Sequence, residues 1–293
     1  MFLILAHAED LTALQVRNAL IERHGNERVR MLTAEDLVLS TQWFHLQEGH
    51  QVKTLLRLAD GLLLSSDSIK VVFNRLRYIT MPHFDTAKAV DRDYAVGEMF
   101  ALLLSWLASF SCPVVNRASV RGLGGAEISL AEWLLLAGKA GLPTRQLRFT
   151  TNSRLFFRKS FVPYVPSEGA HLSKAESFQP ALTPVLGQSP ALFFEPVAEE
   201  VLRILVVGKK TCPDVTSELT ENCLRLARMS GCDLIECFFA RPQPLGAIVD
   251  RGEEWSFCNA NHFPYALDGR EIEAIVELLE SKAMEEGEEV KPA

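Results

Sequence analysis

Basic charge is scarce in this chain: 30 Lys and Arg against 37 Asp and Glu leave a formal net charge of −7 over 293 residues. That balance argues against a broad nucleic-acid-binding face, because neutralising a phosphate backbone takes clustered Lys and Arg. The six cysteines, Cys112, Cys212, Cys223, Cys232, Cys237 and Cys258, include no C-x-x-C pair and have no His partner at zinc-ligand spacing. They read as small buried apolar residues in a reducing cytosol. The seven histidines lack metal spacing too; His45 and His50 sit off the i, i+4 helical register. No long hydrophobic run is present, since the most apolar stretch, residues 99–110, has about half the roughly 20 residues that span a bilayer. It reads as a buried helix, with no membrane partner. The opening M-F-L-I-L-A-H-A-E-D lacks a basic n-region and meets an acid pair too early for a secretory core, so a cytoplasmic location is expected.

Three catalytic signatures are missing as well. No G-x-S-x-G is found, hence no nucleophile elbow. His7-Ala8-Glu9-Asp10 follows the first strand where a dinucleotide-binding enzyme would carry its glycines. Arg121-Gly122-Leu123-Gly124-Gly125 matches neither that fingerprint nor a Walker A loop, and reads as a glycine-rich helix entry.

What remains is a globular composition, 48% hydrophobic and 23% charged, able to fill one large core or two to three modest ones. Residues 2–6 form a continuous apolar run and a helical pattern then extends to Gly25, the opening of a βα unit. Residues 29–32, 61–65 and 69–74 are further strand candidates, which makes the first 78 or so residues a small open α/β domain. A helix is expected over 91–110, with Asp91 as N-cap and Glu98 on its polar side. A short buried strand over 112–116 ends in Asn116, and a helix over 126–140 is closed by Gly141 and Pro143. Residues 147–151 resume an extended run. The stretch 152–190 holds Pro163, Pro166, Pro180, Pro184 and Pro190 and reads as a long loop. Strands are expected at 191–197 and 202–208, a helix at 217–229, a hairpin from 234–240 and 255–260, and an amphipathic helix at 268–282 before a frayed acidic tail.

Several short motifs occur in a telling order: V-F-N-R-L-R-Y-I at 72–79, P-V-V-N-R-A at 113–118, A-G-L-P-T at 140–144, F-T-T-N at 149–152, L-R-I-L-V-V-G at 202–208 and F-C-N-A-N at 257–261. Together they resemble the ATP-grasp superfamily, in particular its peptide- and glutamate-ligase branch and the ribosomal-peptide maturases. The resemblance implies an α/β, ATP-grasp-like fold: an N-terminal open α/β (pre-ATP-grasp) domain over 1–80, a central α/β region over 81–152, a reduced lid or loop over 153–190, and a C-terminal mixed sheet with helices over 191–293. It also implies a chemistry, in which ATP phosphorylates a carboxylate and an amine displaces phosphate from the acylphosphate, while Mg2+ and basic residues neutralise the transferring group.

Carried onto this chain, the resemblance gives Arg203 as the catalytic cation, with Arg203 and Lys209 on phosphate and Glu195 at the hinge to adenine. Glu236, Asn259 and Asn261 would hold magnesium through hard oxygen atoms. Arg75 and Arg77 would grip a substrate carboxylate in bidentate fashion. His7 joins them because it ends the first strand, where α/β folds place ligands; His262 is the second histidine to test. The implied partner is a peptide or small-molecule carboxylate, with a homo- or hetero-oligomer left open.

The chain also departs from the family pattern. Asn259-Ala260-Asn261 stands where Glu-x-Asn is usual, and the Asp of the preceding strand is replaced by Glu236 or Cys237, whichever alternation turns to the site. Asp250 and Glu253 lie in the intervening turn and could compensate. The lid region is short and carries only Lys159 and Lys174. Two readings follow: a ligase with a degenerate nucleotide and metal site, or a non-catalytic pseudoenzyme that keeps the fold and recognises a peptide or a ligase subunit.

Overall fold

An apolar run buried at every position, Phe2–Leu5, forms β1. The computed structural model describes residues 1–49, 51–145, 147–150, 162–163, 191–194, 197–242 and 255–285. Helix α1 (Leu11–His24) follows β1, its first turn closed by Asp10, whose Oδ1 accepts from the Ala13 backbone at 3.0 Å. Strand β2 (Val29–Leu32) runs parallel to β1, and α2 (Ala34–Val38) begins at a capping box formed by Thr33 and Asp36.

Next come β3 (Gln42–Glu48), β4 (Gln51–Arg57) and β5 (Leu63–Ser65), which form a separate antiparallel sheet in the order β3-β4-β5. The strand expected at 61–65 therefore exists but pairs with β4 rather than with the parallel sheet. Strand β6 (Val71–Asn74) returns to the far side of β1. Helix α3 (Ala89–Ala108) precedes β7 (Val114–Val115), giving a four-stranded parallel sheet ordered β2-β1-β6-β7. Lys88, not Asp91, caps α3. Asp91 falls in the first turn, where its charge still opposes the helix dipole favourably. Leu3, Leu5, Leu32, Leu56, Val72, Leu103, Trp106 and Phe110 belong to one hydrophobic cluster.

The chain divides into two compact units, one of residues 1–127, 230–234 and 262–293, the other of 128–229 and 235–261. The second opens on α4 (Leu130–Lys139), which starts four residues later than its apolar pattern suggests because Ser129 and Glu132 make a capping box. Strands β8 (Leu147–Thr150), β9 (Val162–Pro163) and β10 (Ala191–Phe194) pair in the order β8-β10-β9. Strands β11 (Val197–Val207) and β12 (Lys210–Cys212), helix α5 (Ser217–Ser230), and strands β13 (Leu234–Pro242) and β14 (Ser256–Asn261) complete the unit, with sheet order β12-β11-β13-β14. The expected hairpin partners, β13 and β14, are antiparallel neighbours.

Helix α6 (Gly269–Glu285) belongs to the first unit and packs on α1, where Arg23 meets Glu273 and Glu280 and His24 meets Glu280 at 2.8 Å. Met284 and Glu285, expected in a frayed tail, close this helix. Of the expected loop at 152–190, only β9 is described; Lys159, Lys174, Glu195, Asp250, Glu253, His50, His171 and the last eight residues lie outside the described residues. All six cysteines are free thiols. No helix among the described residues is long and apolar enough to cross a membrane.

Candidate functional site

In the second unit, alternation along β13 and β14 builds a polar face. Glu236 stands directly opposite Asn261, and Phe238 opposite Asn259, so the two-residue period of a strand turns Glu236, Asn259 and Asn261 to the same side of the sheet. A register shift falls just beyond them, between Phe238 and Phe239. Arg203, on the neighbouring strand β11, donates from Nη1 to Glu236 Oε1 at 2.8 Å. The carboxylate side chain is 6% exposed and the arginine 33%, so this charge-assisted bond sits at the rim of a buried sheet.

Cys237 faces the other way. Its thiol is held well above the usual range by a hydrogen bond with Cys223 of α5 and by burial, as a residue packed beneath the sheet should be. Alternation thus selects Glu236 over Cys237.

Lys209 does not join this group. It is exposed in the turn linking β11 to β12, six residues past Arg203 and beyond the end of β11 at Val207. Glu195 lies outside the described residues. The donor set is therefore one carboxylate, already bonded to a guanidinium, and two amides. No group of three His, Cys, Asp or Glu that could hold a metal ion occurs among the described residues. Hard oxygen donors with so little charge suit a magnesium that brings most of its ligands as water and phosphate, rather than a free ion.

In the first unit, the chain leaves β1 toward β2 on one side and later returns to β6 on the other. The carboxyl ends of β1 and β6 are thus the sheet's switch point, where open α/β sheets place ligands. His7 follows β1, and Arg75, Arg77 and Tyr78 follow β6. Arg75 is not available for bidentate capture of a ligand. It is 1% exposed, its Nε donates to Asp10 Oδ2 at 2.7 Å, and its Nη2 donates to the Pro264 carbonyl at 3.0 Å. A guanidinium so deeply buried requires an internal counter-ion. Its Nη1 alone has no hydrogen-bond partner among the described residues.

Arg77 is different. Its guanidinium stacks 4.5 Å from the Phe263 ring centroid and makes no hydrogen bond or ion pair among the described residues. Burial, and then the neighbouring Arg75 charge, lowers its pKa. His7 stacks on Tyr78 with centroids 3.9 Å apart, and its Nε2 accepts from the Arg77 backbone N–H at 3.3 Å. That bond fixes the neutral tautomer with the proton on Nδ1, and burial holds the ring's pKa below 6.5. His262 is buried with Nε2 unpartnered, and burial, then Arg77 and Arg75, push its pKa down to about 4.

Sequence reasoning singled out His7, Arg75, Arg77 and His262 but missed Asp10, Phe263 and Pro264, which hold the two arginines. The acid pair Glu9-Asp10 directly after a buried strand was the available signal. Asn116, noted only as a polar strand end, sits at φ 56° and saturates its amide: Oδ1 accepts from the Asp233 and Leu234 backbone, while Nδ2 donates to the Leu234 and His262 carbonyls, all within 2.9–3.1 Å.

No protein-family model and no curated protein matches the chain. Solved structures do. A RiPP-associated ATP-grasp ligase of Chryseobacterium gregarium, in complex with ADP and a leader and core peptide, matches with TM-score 0.68 at 16% identity, over 96% of each chain. The macrocyclase MdnC of Microcystis aeruginosa, bound with the precursor peptide MdnA, gives 0.71 at 16% identity over 96% of this chain and 99% of that one. The ATP-grasp ligase PsnB, complexed with a minimal precursor, Mg and ADP, gives 0.70 at 14% over 97% and 98%. The α/β fold of this chain is the ATP-grasp fold, as its motifs led us to expect.

Proposed function

We propose that the chain is an ATP-dependent carboxylate-amine ligase acting on a peptide through an acylphosphate. The observation that carries this reading is the shared face of β11, β13 and β14, where Arg203, Glu236, Asn259 and Asn261 meet in a fold whose solved examples include ligases bound to ADP, Mg and precursor peptides. Arg203 would neutralise charge on a transferring phosphoryl group, with Glu236 orienting its guanidinium. Glu236, Asn259 and Asn261 would hold Mg2+ brought in with the nucleotide, which would supply charge neutralisation at the phosphates. In an acylphosphate mechanism the substrate carboxylate attacks the terminal phosphorus, ADP leaves, and the amine then displaces phosphate with loss of a proton.

One observation favours a second reading, a non-catalytic protein that keeps the fold to recognise a peptide or a ligase subunit. The single carboxylate of the donor set is already neutralised by Arg203. Thermal unfolding separates the two. Mg-ATP at one hundred times its dissociation constant stabilises a protein by about 2.7 kcal/mol. The ligase reading expects the midpoint to rise with Mg-ATP, to rise little with ATP or Mg2+ alone, and to lose that response in Glu236→Gln and Arg203→Met. A midpoint unmoved by millimolar Mg-ATP retires the ligase and leaves the non-catalytic reading.

A further inference from the structure

Strand β3 lies at the edge of its sheet: in the order β3-β4-β5, its other side pairs with no strand among the described residues. Folded chains protect such an edge with Lys, Pro, a bulge or a very short strand, because its free N–H and C=O groups bond any strand that arrives. β3 has none of these. It runs for seven residues, Q-W-F-H-L-Q-E, in unbroken register with β4, and its one carboxylate is Glu48 at the end. Alternation divides its side chains. Trp43 and His45 turn inward, to Trp106 and Ser105 of α3, while Phe44 and Leu46 turn outward on the face that also carries Leu55 of β4 and Leu63 of β5. Phe44 and Leu63 are each 47% exposed, so this outer face is apolar and uncovered. Helix α3 adds a second uncovered surface beside the first. Val90, Tyr94, Gly97, Ala101, Ser105 and Ala108 recur at the helical period and are all exposed, Val90 at 78% and Tyr94 at 69%. Ser105 Oγ bonds His45 Nε2 at 3.0 Å, so the stripe lies on the β3 side of the helix. A Cβ built on Gly97 meets nothing within 4 Å, and small residues fill the rest of the stripe's centre, which lets a second helix come close.

We propose that β3 pairs antiparallel with β3 of a second copy of this chain, centred on His45, giving a six-stranded sheet with the two α3 stripes facing each other beneath it. The strand's own sequence selects that occupant. About a two-fold axis through His45, Gln42 comes opposite Glu48 of the second copy, Trp43 opposite Gln47, and Phe44 opposite Leu46. Polar residues meet polar ones at the ends, and Phe44 and Leu46 meet on the outer face, flanked by Leu55 of both copies. Slipping one strand by two residues in either direction breaks the match, setting Phe44 opposite Glu48 or Leu46 opposite Gln42. Charge agrees with the centred register. Glu48 of the second copy arrives beside Gln42, whose neighbour on β4 is Arg57, and both charged residues are exposed and make no ion pair among the described residues. Their backbones stand two strand spacings apart, about 10 Å, and two long side chains narrow that gap. The pairing involves the first unit alone and is independent of the ligase reading.

The test is sedimentation equilibrium of the full chain, without nucleotide or peptide, from roughly 1 to 100 μM. The expected result is a mass that rises with concentration to twice that of one chain. Phe44→Lys and Ala101→Arg, both at exposed positions, should each weaken the dimer about tenfold or more, while Leu135→Lys on α4, 58% exposed, leaves it unchanged. Gln42→Cys combined with Glu48→Cys reads the register. Within one strand the two positions lie roughly 20 Å apart, too far for a disulfide, but between copies they face each other. Oxidation by dissolved oxygen should therefore give a covalent dimer from the double variant and far less from either single one. A monomer throughout the concentration range overturns the proposal, and protection of the β3 amides from hydrogen exchange in that monomer would assign the edge to another segment. So does a dimer indifferent to both Phe44→Lys and Ala101→Arg, or cross-linking of the single variants as fast as the double one.

Discussion

Replacing Arg75 by Met should destabilise the N-terminal unit severely, and the loss should fall on one atom group. Nε of Arg75 lies 2.7 Å from Asp10 Oδ2, with the two side chains 1% and 7% exposed. At an effective dielectric constant of about 20, charges that close attract by roughly 6 kcal/mol before desolvation is counted. Removing one partner of a buried pair leaves the other charge stranded, at a cost of about 3–5 kcal/mol. The second acceptor of Arg75 is less exposed to the loss, because the Pro264 carbonyl keeps a bond from Thr12 Oγ1 at 3.1 Å. The stranded group is therefore the Asp10 carboxylate, and Asp10→Asn made together with Arg75→Met should recover part of the cost. The coupling is expected to exceed about 1.5 kcal/mol, well above the 0.3–0.5 kcal/mol within which independent sites add. Two units need not unfold together, so the measurement is native-state hydrogen exchange at the amides of β1 and β6. If the single variants lower the exchange free energy there by less than about 1 kcal/mol, or the double variant simply sums them, the ion pair does not hold this unit together.

Two further outcomes are expected. Folded His262 titrates at about 4 and an unfolded histidine near 6.5, so the unfolded chain binds more protons between those values. Stability should fall as pH drops through that window, by at most roughly 3 kcal/mol at pH 4, and urea unfolding of His262→Gln should lack that part of the pH dependence. Identical pH profiles would remove His262 from the account. Gly124 and Gly138 make an opposed pair: a Cβ on Gly124 would stand 2.5 Å from Phe263 Cζ and 2.7 Å from the Leu76 carbonyl oxygen, while one on Gly138 meets nothing within 4 Å. Gly124→Ala should cost about 1–3 kcal/mol and Gly138→Ala, inside α4, should add about 0.5–1 kcal/mol, both read from denaturant midpoints.

The parallel strands were legible because central strands are apolar throughout, as in Phe2–Leu5, and the polar face of β13 and β14 was legible because a period of two is simple to count. The β3-β4 pair was not. Its strand β3 carries apolar groups to both sides, with Trp43 packed edge-on to Trp106 and Phe44 47% exposed, so no alternation announces it. Helix starts slipped where a side chain, not apolar spacing, sets the boundary, as Ser129 does for α4. Arg75 stood out in the sequence only as a candidate substrate ligand; its pairing with Asp10, 65 positions away, was not legible, since nothing local to either residue announces it. Lys209 lies in the turn after β11, apart from the face that holds Arg203, because a strand pattern does not show where the chain reverses.

Asn116 has a bearing on how the chain is made. Its amide holds backbone groups of residues 233 and 234, where the chain re-enters the first unit, and of residue 262, where it does so again. During synthesis the N-terminal sheet can start early, yet the end of β7 keeps a polar side chain without its four partners until nearly nine-tenths of the polypeptide has emerged. Such sequence-distant closure is slow to reach. The last step of maturation for this unit is then a docking of late segments onto an older scaffold, and a ribosome-stalled fragment ending before residue 230 should expose the empty end of β7 to chaperones.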